Sequence, residues 1–219
     1  MSEYVLVHGG NMASDAWNEL AQNPVYPSGI LLGGRVWDSI IPSLLSHGHH
    51  VFAPTLADEQ TSSLSDHIEQ ILSIIEQIKQ PKVILIAHSY GGMVITGAAA
   101  RVPERIGRLV YVDAALPSSG QSLYDLIALA GCDAASFVGL NPDRPYVEKL
   151  IFDEDKIHCL PKTYVRCTQS NFAAVTAYVA KSIAEKGNGW TMLELPTSHV
   201  PMASMPGRFA QLLLEAAAT

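Results

Sequence analysis

The feature that most restricts the fold of this chain is a rhythm in its apolar residues. Six short runs, Tyr4–His8, His50–Pro54, Val83–Ala87, Leu109–Asp113, Thr163–Cys167 and Thr191–Leu195, are apolar along most of their length, and longer segments lie between them. A strand with one wet face alternates polar and apolar residues, whereas a strand apolar throughout has both faces covered. Crossover helices on the two sides of a parallel sheet provide that cover. The expected fold class is therefore α/β, a mostly parallel sheet of about six strands flanked by helices. The clearest helix spans Leu64–Lys79, where Ile68, Leu72, Ile75 and Ile78 share a face and Ser65 before Asp66 reads as the cap. Met93–Arg101 and Phe209–Ala218 are marked in the same way. There is no internal repeat or low-complexity tract, so residues 1–219 read as one domain.

Composition narrows the class. A chain of 219 residues, 48% apolar and 16% charged, buries about 70% of its unfolded surface and needs neither disulfides nor metal to hold a core. A net charge of −7 without a Lys/Arg cluster argues against nucleic acid and anionic membrane as partners. No run approaches the ~18 apolar residues of a membrane span. Cys132, Cys159 and Cys167 are odd in number and irregular in spacing, which fits a reducing compartment. The opening MSEYVLVHGG has neither a basic segment nor a cleavage site, so a cytoplasmic protein is expected.

Two stretches break the rhythm. Residues Asn11–Gly34 contain Pro24, Pro27, Gly29, Gly33 and Gly34 and are expected to form a long loop after the first strand. Ser118–Pro161, about 44 residues between two core strands, contains no convincing strand and is expected to form a small lid. Ligands of such sheets bind beyond the carboxyl ends of the strands, where both stretches leave the core.

The chemistry concentrates at Val83-Ile-Leu-Ile-Ala-His-Ser-Tyr-Gly-Gly92, a strand, a sharp turn and a helix. This is the nucleophile-elbow pattern, with Ser89 at the apex and small residues, Ala87 and Gly91, two positions to either side. The plainer reading of Ser89 is a helix cap. In Val5-Leu-Val-His-Gly-Gly10, the N–H of Gly10 could face that serine and, with the N–H of Tyr90, form an oxyanion hole. A glycine turn at a strand end is the alternative, and His8 is expected to bond locally. A serine nucleophile needs an imidazole base, and His199, in Ser198-His199-Val-Pro-Met202, is the histidine placed after the last strand. The group His47, His49 and His50 reads as a helix terminus running through Gly48 into a strand, so no metal site is expected. Neither G-x-G-x-x-G nor Walker A occurs, which disfavours nucleotide chemistry.

With these segments in view, the chain resembles the α/β-hydrolase superfamily, in its small esterase branch of pyrethroid-hydrolase-like proteins and, further off, plant methylesterases and hydroxynitrile lyases. The resemblance is carried by VLVHGG, GGRVWDSIIPSLLSHGHHVFAPTL, VILIAHSYGGMVITGAAARVPERIGRLVYVDAALP, KTYVRCT and SHVPM. It implies the α/β-hydrolase fold and no cofactor. Against that pattern, Asn11–Leu32 is an insertion, and the stretch after Leu56 is short. Many relatives carry the acid of the triad after the strand that here ends at Cys167, but Cys167–Asn171 holds no carboxylate. Asp113, at the end of the preceding strand, is the candidate acid, with Asp153, Glu154 and Asp155 as outside candidates and a turn-capping role as the plainer reading of Asp113.

The expectation is then a serine hydrolase cleaving a small carboxylic ester, with Ser89, His199 and Asp113 as triad and an apolar or aromatic ester as substrate. Hydroxynitrile lyases use a lysine after the histidine, where this chain has Val200. A relative that binds ligands without turnover is the second alternative. Leu126, Leu129, Phe137, Val138, Leu140 and Phe152 would line an apolar pocket or simply pack the lid. Arg166 is expected in a surface ion pair.

Overall fold

Alternate residues of the four inner strands feed two separate cores, and this explains why those runs are apolar throughout; the edge strands His50–Phe52 and Trp190–Leu195 are mostly not buried. The computed structural model describes residues 1–10, 13–137, 139–187 and 189–218. Six strands, β1 (Glu3–Val7), β2 (His50–Phe52), β3 (Val83–His88), β4 (Ile106–Val112), β5 (Lys162–Cys167) and β6 (Trp190–Leu195), form one sheet in the order β2-β1-β3-β4-β5-β6. Every neighbouring pair is parallel. Side chains alternate across a strand. Val5, Val7, Val83, Leu85, Leu109 and Tyr111 therefore pack into one core, and Tyr4, Leu6, Ile84, Ile86, Val110 and Val112 into the other.

The first core is covered by α3 (Leu64–Gln77), α4 (Gly91–Arg101), α5 (Leu123–Leu129) and α8 (Ala173–Lys186). The second is covered by α1 (Ser14–Ala21), α2 (Ile41–Ser46), α9 (Pro201–Ser204) and α10 (Pro206–Ala218), with a 3-10 turn at Gly33–Trp37. Two single-turn helices, α6 (Arg144–Val147) and α7 (Asp155–His158), lie in the connection from β4 to β5.

Several expectations need correction. Residues 11–34 are not one long loop: α1 occupies Ser14–Ala21 and buries Trp17 and Ala21. Asn11 lies outside the described residues, as does Val138 of the expected lid. The cap of α3 is Ser63, not Ser65. Ser63 Oγ accepts the Asp66 N–H while the Asp66 carboxylate accepts the Ser63 N–H, a reciprocal capping box. Ser65 Oγ instead donates to Glu148 Oε1 at 2.5 Å. The face that α3 buries runs Leu64, His67, Ile68, Ile71, Ile75, with Leu72 at its margin. Helix α8, not marked among the expected helices, buries Val175, Val179 and Ile183, four residues apart, as its apolar stripe.

Candidate active site

At the end of β3 the chain turns into α4 through Ser89 and Tyr90. Ser89 has φ of 53°, a left-handed conformation uncommon for a residue with a side chain. The turn is held by the Ser89 N–H, which donates to Val112 O at 3.3 Å, and by Ser89 O, which accepts from the N–H groups of Gly92 and Ala115 at 3.1 and 3.0 Å. Ser89 stays partly open to solvent between the buried His88 and Tyr90.

Glycine is required at 91 because of β1. A Cβ there would stand 2.6 Å from His8 O and 2.7 Å from Val7 O. At Gly9 a Cβ would lie 2.7 Å from the Ser89 Cβ, so the loop after β1 runs against the serine. The N–H groups of Gly10 and Tyr90 enter no hydrogen bond among the described residues. His8 anchors this loop. Its Nε2 accepts the Leu56 N–H at 2.9 Å, so Nδ1 carries the proton and donates to Gly9 O at 2.7 Å. Burial pulls its pKa down to about 4, and His8 is a neutral strut, as expected of a locally bonded residue.

His199 lies between β6 and α9. Its Nδ1 is 2.8 Å from Asp113 Oδ2, and both side chains are almost wholly buried. Asp113 has φ of 45°. Its N–H donates to Val165 O at 2.7 Å, and its Oδ1 accepts the Cys167 N–H at 3.0 Å. The segment that lacks a carboxylate thus supplies a backbone donor to the carboxylate of the strand beside it. Ser170 Oγ lies 3.4 Å from His199 Nδ1, and the Phe172 ring packs 5.3 Å from the imidazole. Among the described residues Ser89 Oγ forms no hydrogen bond, including to His199. Such contacts commonly tighten only when substrate is bound.

The structure leaves the other candidates elsewhere. Asp153 Oδ1 accepts the Asp155 N–H, and Glu154 Oε1 accepts the Ser119 N–H. His47, His49 and His50 have three separate partners, Ser43 O, the Ser2 N–H and Glu3 Oε1. Arg166 pairs with Glu194 at 3.2 Å. Of the apolar residues expected around the pocket, Leu126 is in the core and Leu129 faces solvent. Phe137 reaches the site indirectly, edge-on to Phe172 at 5.3 Å.

Three side chains at the site were not singled out from the sequence. His67 Nε2–H donates to Ala57 O at 2.9 Å, which leaves Nδ1 to accept the Tyr90 hydroxyl at 2.9 Å and tether the residue after Ser89. A histidine on the otherwise aliphatic stripe of α3 was the available signal. Tyr146 is fully buried, edge-on to Tyr90 at 4.9 Å, with its hydroxyl 2.8 Å from where a Gly10 Cβ would be. No sequence pattern marks it. His88 packs 4.5 Å from the His199 ring. Its place beside the elbow serine was its signal. Burial pushes the pKa of His67 and His88 down, helped at His88 by the nearby His199.

Residues 5–130 match the alpha/beta hydrolase fold family, and the chain belongs to that family. It is similar to a carbendazim hydrolyzing esterase of Nocardioides sp. (strain SG-4G), 37% identical over 150 residues that make up 64% of this chain and 53% of that protein. It is also similar to a polyneuridine aldehyde esterase of Rauvolfia serpentina, 29% identical over 55% of this chain and 41% of that one. The chain thus spans about half or less of the length of these curated relatives. Among solved structures, a pyrethroid hydrolase from Sphingobium faniae JZ-2 superposes with a TM-score of 0.74 at 18% identity, over 100% of this chain and 98% of that one. At that identity the superposition establishes the fold.

Proposed function

We propose that the chain is a serine hydrolase that cleaves a small carboxylic ester through an acyl-enzyme. The observation that carries this reading is the buried His199 Nδ1–Asp113 Oδ2 hydrogen bond of 2.8 Å at the sheet end that presents Ser89 in a strained turn. Asp113 holds the Nδ1–H tautomer and stabilises the imidazolium as it forms. Nε2 of His199 is then free to take the Ser89 proton while Oγ attacks the ester carbonyl. The tetrahedral oxyanion is held by the N–H groups of Gly10 and Tyr90, each such donor typically worth about 3–4 kcal/mol of barrier. Collapse of the intermediate breaks the ester C–O bond, and the alcohol leaves with the proton from His199. A water molecule, deprotonated by His199, attacks the acyl carbon and releases the acid and Ser89.

The names of the relatives support esters as the substrate class. The edge-on pair of Phe137 and Phe172 beside His199 favours an apolar or aromatic group there. Val200, buried where lyases of this fold carry a lysine, favours hydrolysis over C–C cleavage.

Intact mass after exposure to a fluorophosphonate probe tests the reading. Wild type is expected to gain one adduct rapidly and Ser89→Ala none. An unlabelled wild type that also fails to hydrolyse p-nitrophenyl acetate would leave a ligand-binding protein in its place.

A further inference from the structure

His88 does a job that the serine, base and acid do not account for. It is the last residue of β3 and is almost fully buried, yet its side chain spans 111 residues of sequence to reach the base: Nε2 lies 2.7 Å from the main-chain oxygen of His199. A carbonyl only accepts, so Nε2 carries the proton and Nδ1 does not. The ring is confined on three sides. The His199 imidazole lies 4.5 Å away at 45°. The Trp17 indole of α1 meets it edge-on at 6.0 Å. Toward Gly9 the packing is tight, since a Cβ there would lie 3.3 Å from His88 Nδ1.

The backbone around His199 explains why this contact matters. The turn from β6 is held at Thr197, whose N–H donates to Leu195 O and whose carbonyl accepts the Gln169 N–H, and again at Val200, whose carbonyl accepts from Ala203 and Ser204. Between these points the His199 carbonyl takes its hydrogen bond from His88. Fixing that peptide fixes the direction of the His199 Cα–Cβ bond, and with it the aim of Nδ1 at Asp113 and of Nε2 toward Ser89. Misplacement of a reacting group by about 1 Å can cost on the order of 100-fold in rate.

We propose that His88 is a positioning residue for His199, and that α1 supports the base by holding His88 in place through Trp17. The inference rests on the hydrolase reading above. A merely structural His88 would satisfy a buried carbonyl and contribute to stability without affecting turnover.

The test uses the full chain with p-nitrophenyl acetate and the fluorophosphonate probe, on wild type, His88→Leu, His88→Gln and His88→Asn, with thermal melts beside each. Leucine removes the donor. Glutamine can bring an amide N–H toward the same carbonyl, whereas the asparagine amide falls short. The expected result is a kcat in His88→Leu lower by about 10- to 100-fold with KM within about twofold, probe labelling slowed in parallel, and substantial recovery in His88→Gln but not in His88→Asn. A folded His88→Leu with wild-type kcat and labelling rate would overturn the proposal. If leucine prevents folding, the Gln/Asn pair decides: equal rates in those two variants overturn it. A wild type that neither labels nor turns over would reject the hydrolase reading itself, an outcome distinct from a reactive wild type whose His88 variants react equally fast.

Discussion

The chain leaves the carboxyl end of the sheet in two long excursions, and they meet the fold in different ways. Residues 13–32, after β1, put Trp17, Ala21 and Leu32 into the second core, with Trp17 beside His88, while hydrogen bonds such as Ser14 N–H to Ile30 O and Gly29 N–H to Asp15 join parts of the segment to each other. The connection from β4 to β5 is held by Leu126, Ile127 and Tyr146 and also by several polar ties. Ser122 and Asp125 form a capping box, Gln121 pairs with Leu150, and Glu148 accepts from the Leu64 N–H and Ser65 Oγ. The first excursion packs near His88 and His199 and the second over the loop at Gly10, where Tyr146 meets Gly10 and Tyr90. A segment docked by apolar side chains depends most on the largest of them, whereas one also hydrogen-bonded to a neighbouring helix loosens by degrees.

The largest expected effect comes from breaking what both excursions serve. Asp113→Asn keeps the shape of the acid but offers His199 Nδ1 the wrong hydrogen-bonding partner. Turnover of p-nitrophenyl acetate should fall by about 10⁴-fold, with the melting temperature little changed. A loss below tenfold would remove Asp113 from the acid's role and return attention to Asp153, Glu154 and Asp155.

Next in size is the largest apolar anchor of the first excursion. Trp17→Ala empties a site in the second core and should cost about 3–5 kcal/mol of stability, as large-to-small core changes do. Urea unfolding measures this directly. A cost below about 1 kcal/mol, typical of a surface change, would mean that α1 is held by something other than its tryptophan.

How far each region could be read from the sequence follows the same division. Ser89, the residues flanking it, and Gly9 and Gly10 were visible because a strand, tight turn and helix are adjacent in the chain and admit few residue types. Asp113 could be proposed because it ends a run that is itself recognisable. Helix α1 was hidden: its two turns carry Trp17 as their one large buried side chain, and the prolines and glycines after it dominate any window of useful length. The cap of α3 is misplaced by two residues when Ser65, directly before Asp66, is chosen; Ser63 stands three residues before Asp66, the spacing of a capping box, and its hydroxyl is the one that meets the Asp66 N–H. The contacts His88 to His199, His67 to Tyr90 and Tyr146 to Gly10 are long-range and obey no spacing rule. The folded sheet alone brings them together.

The two excursions should also fail in different pH ranges. His8, at the root of the first, has its pKa lowered by burial from 6.5 to about 4. Below pH 6.5 the unfolded chain takes up a proton that the folded chain refuses, so the contribution is complete above 6.5 and is lost as pH falls toward 4, by about 3 kcal/mol in all. His67 and His88 act in the same direction. In the second excursion, hydrogen bonds from Ser122 hold the Asp125 carboxyl below its ordinary value of 3.8, so that tie weakens only at more acid pH. Urea midpoints at pH 7.5 and 4.5 should differ clearly in wild type and less in His8→Gln. Equal differences would show that His8 is not the group responsible.

The smallest effect is predicted where the ties are distributed. Ser122→Ala removes the hydroxyl that accepts the Asp125 N–H at 3.1 Å and donates to its carboxylate at 2.9 Å, and caps of this kind are worth about 1 kcal/mol. Leu126 and Ile127 remain buried and the Gln121–Leu150 pairing is untouched, so α5 should fray at its first turn while the segment stays on the core. Amide hydrogen exchange should therefore quicken at residues 122–125 and remain unchanged at 146–150. Faster exchange through to Tyr146 would mean that the second excursion hangs on the cap of α5 and not on distributed ties.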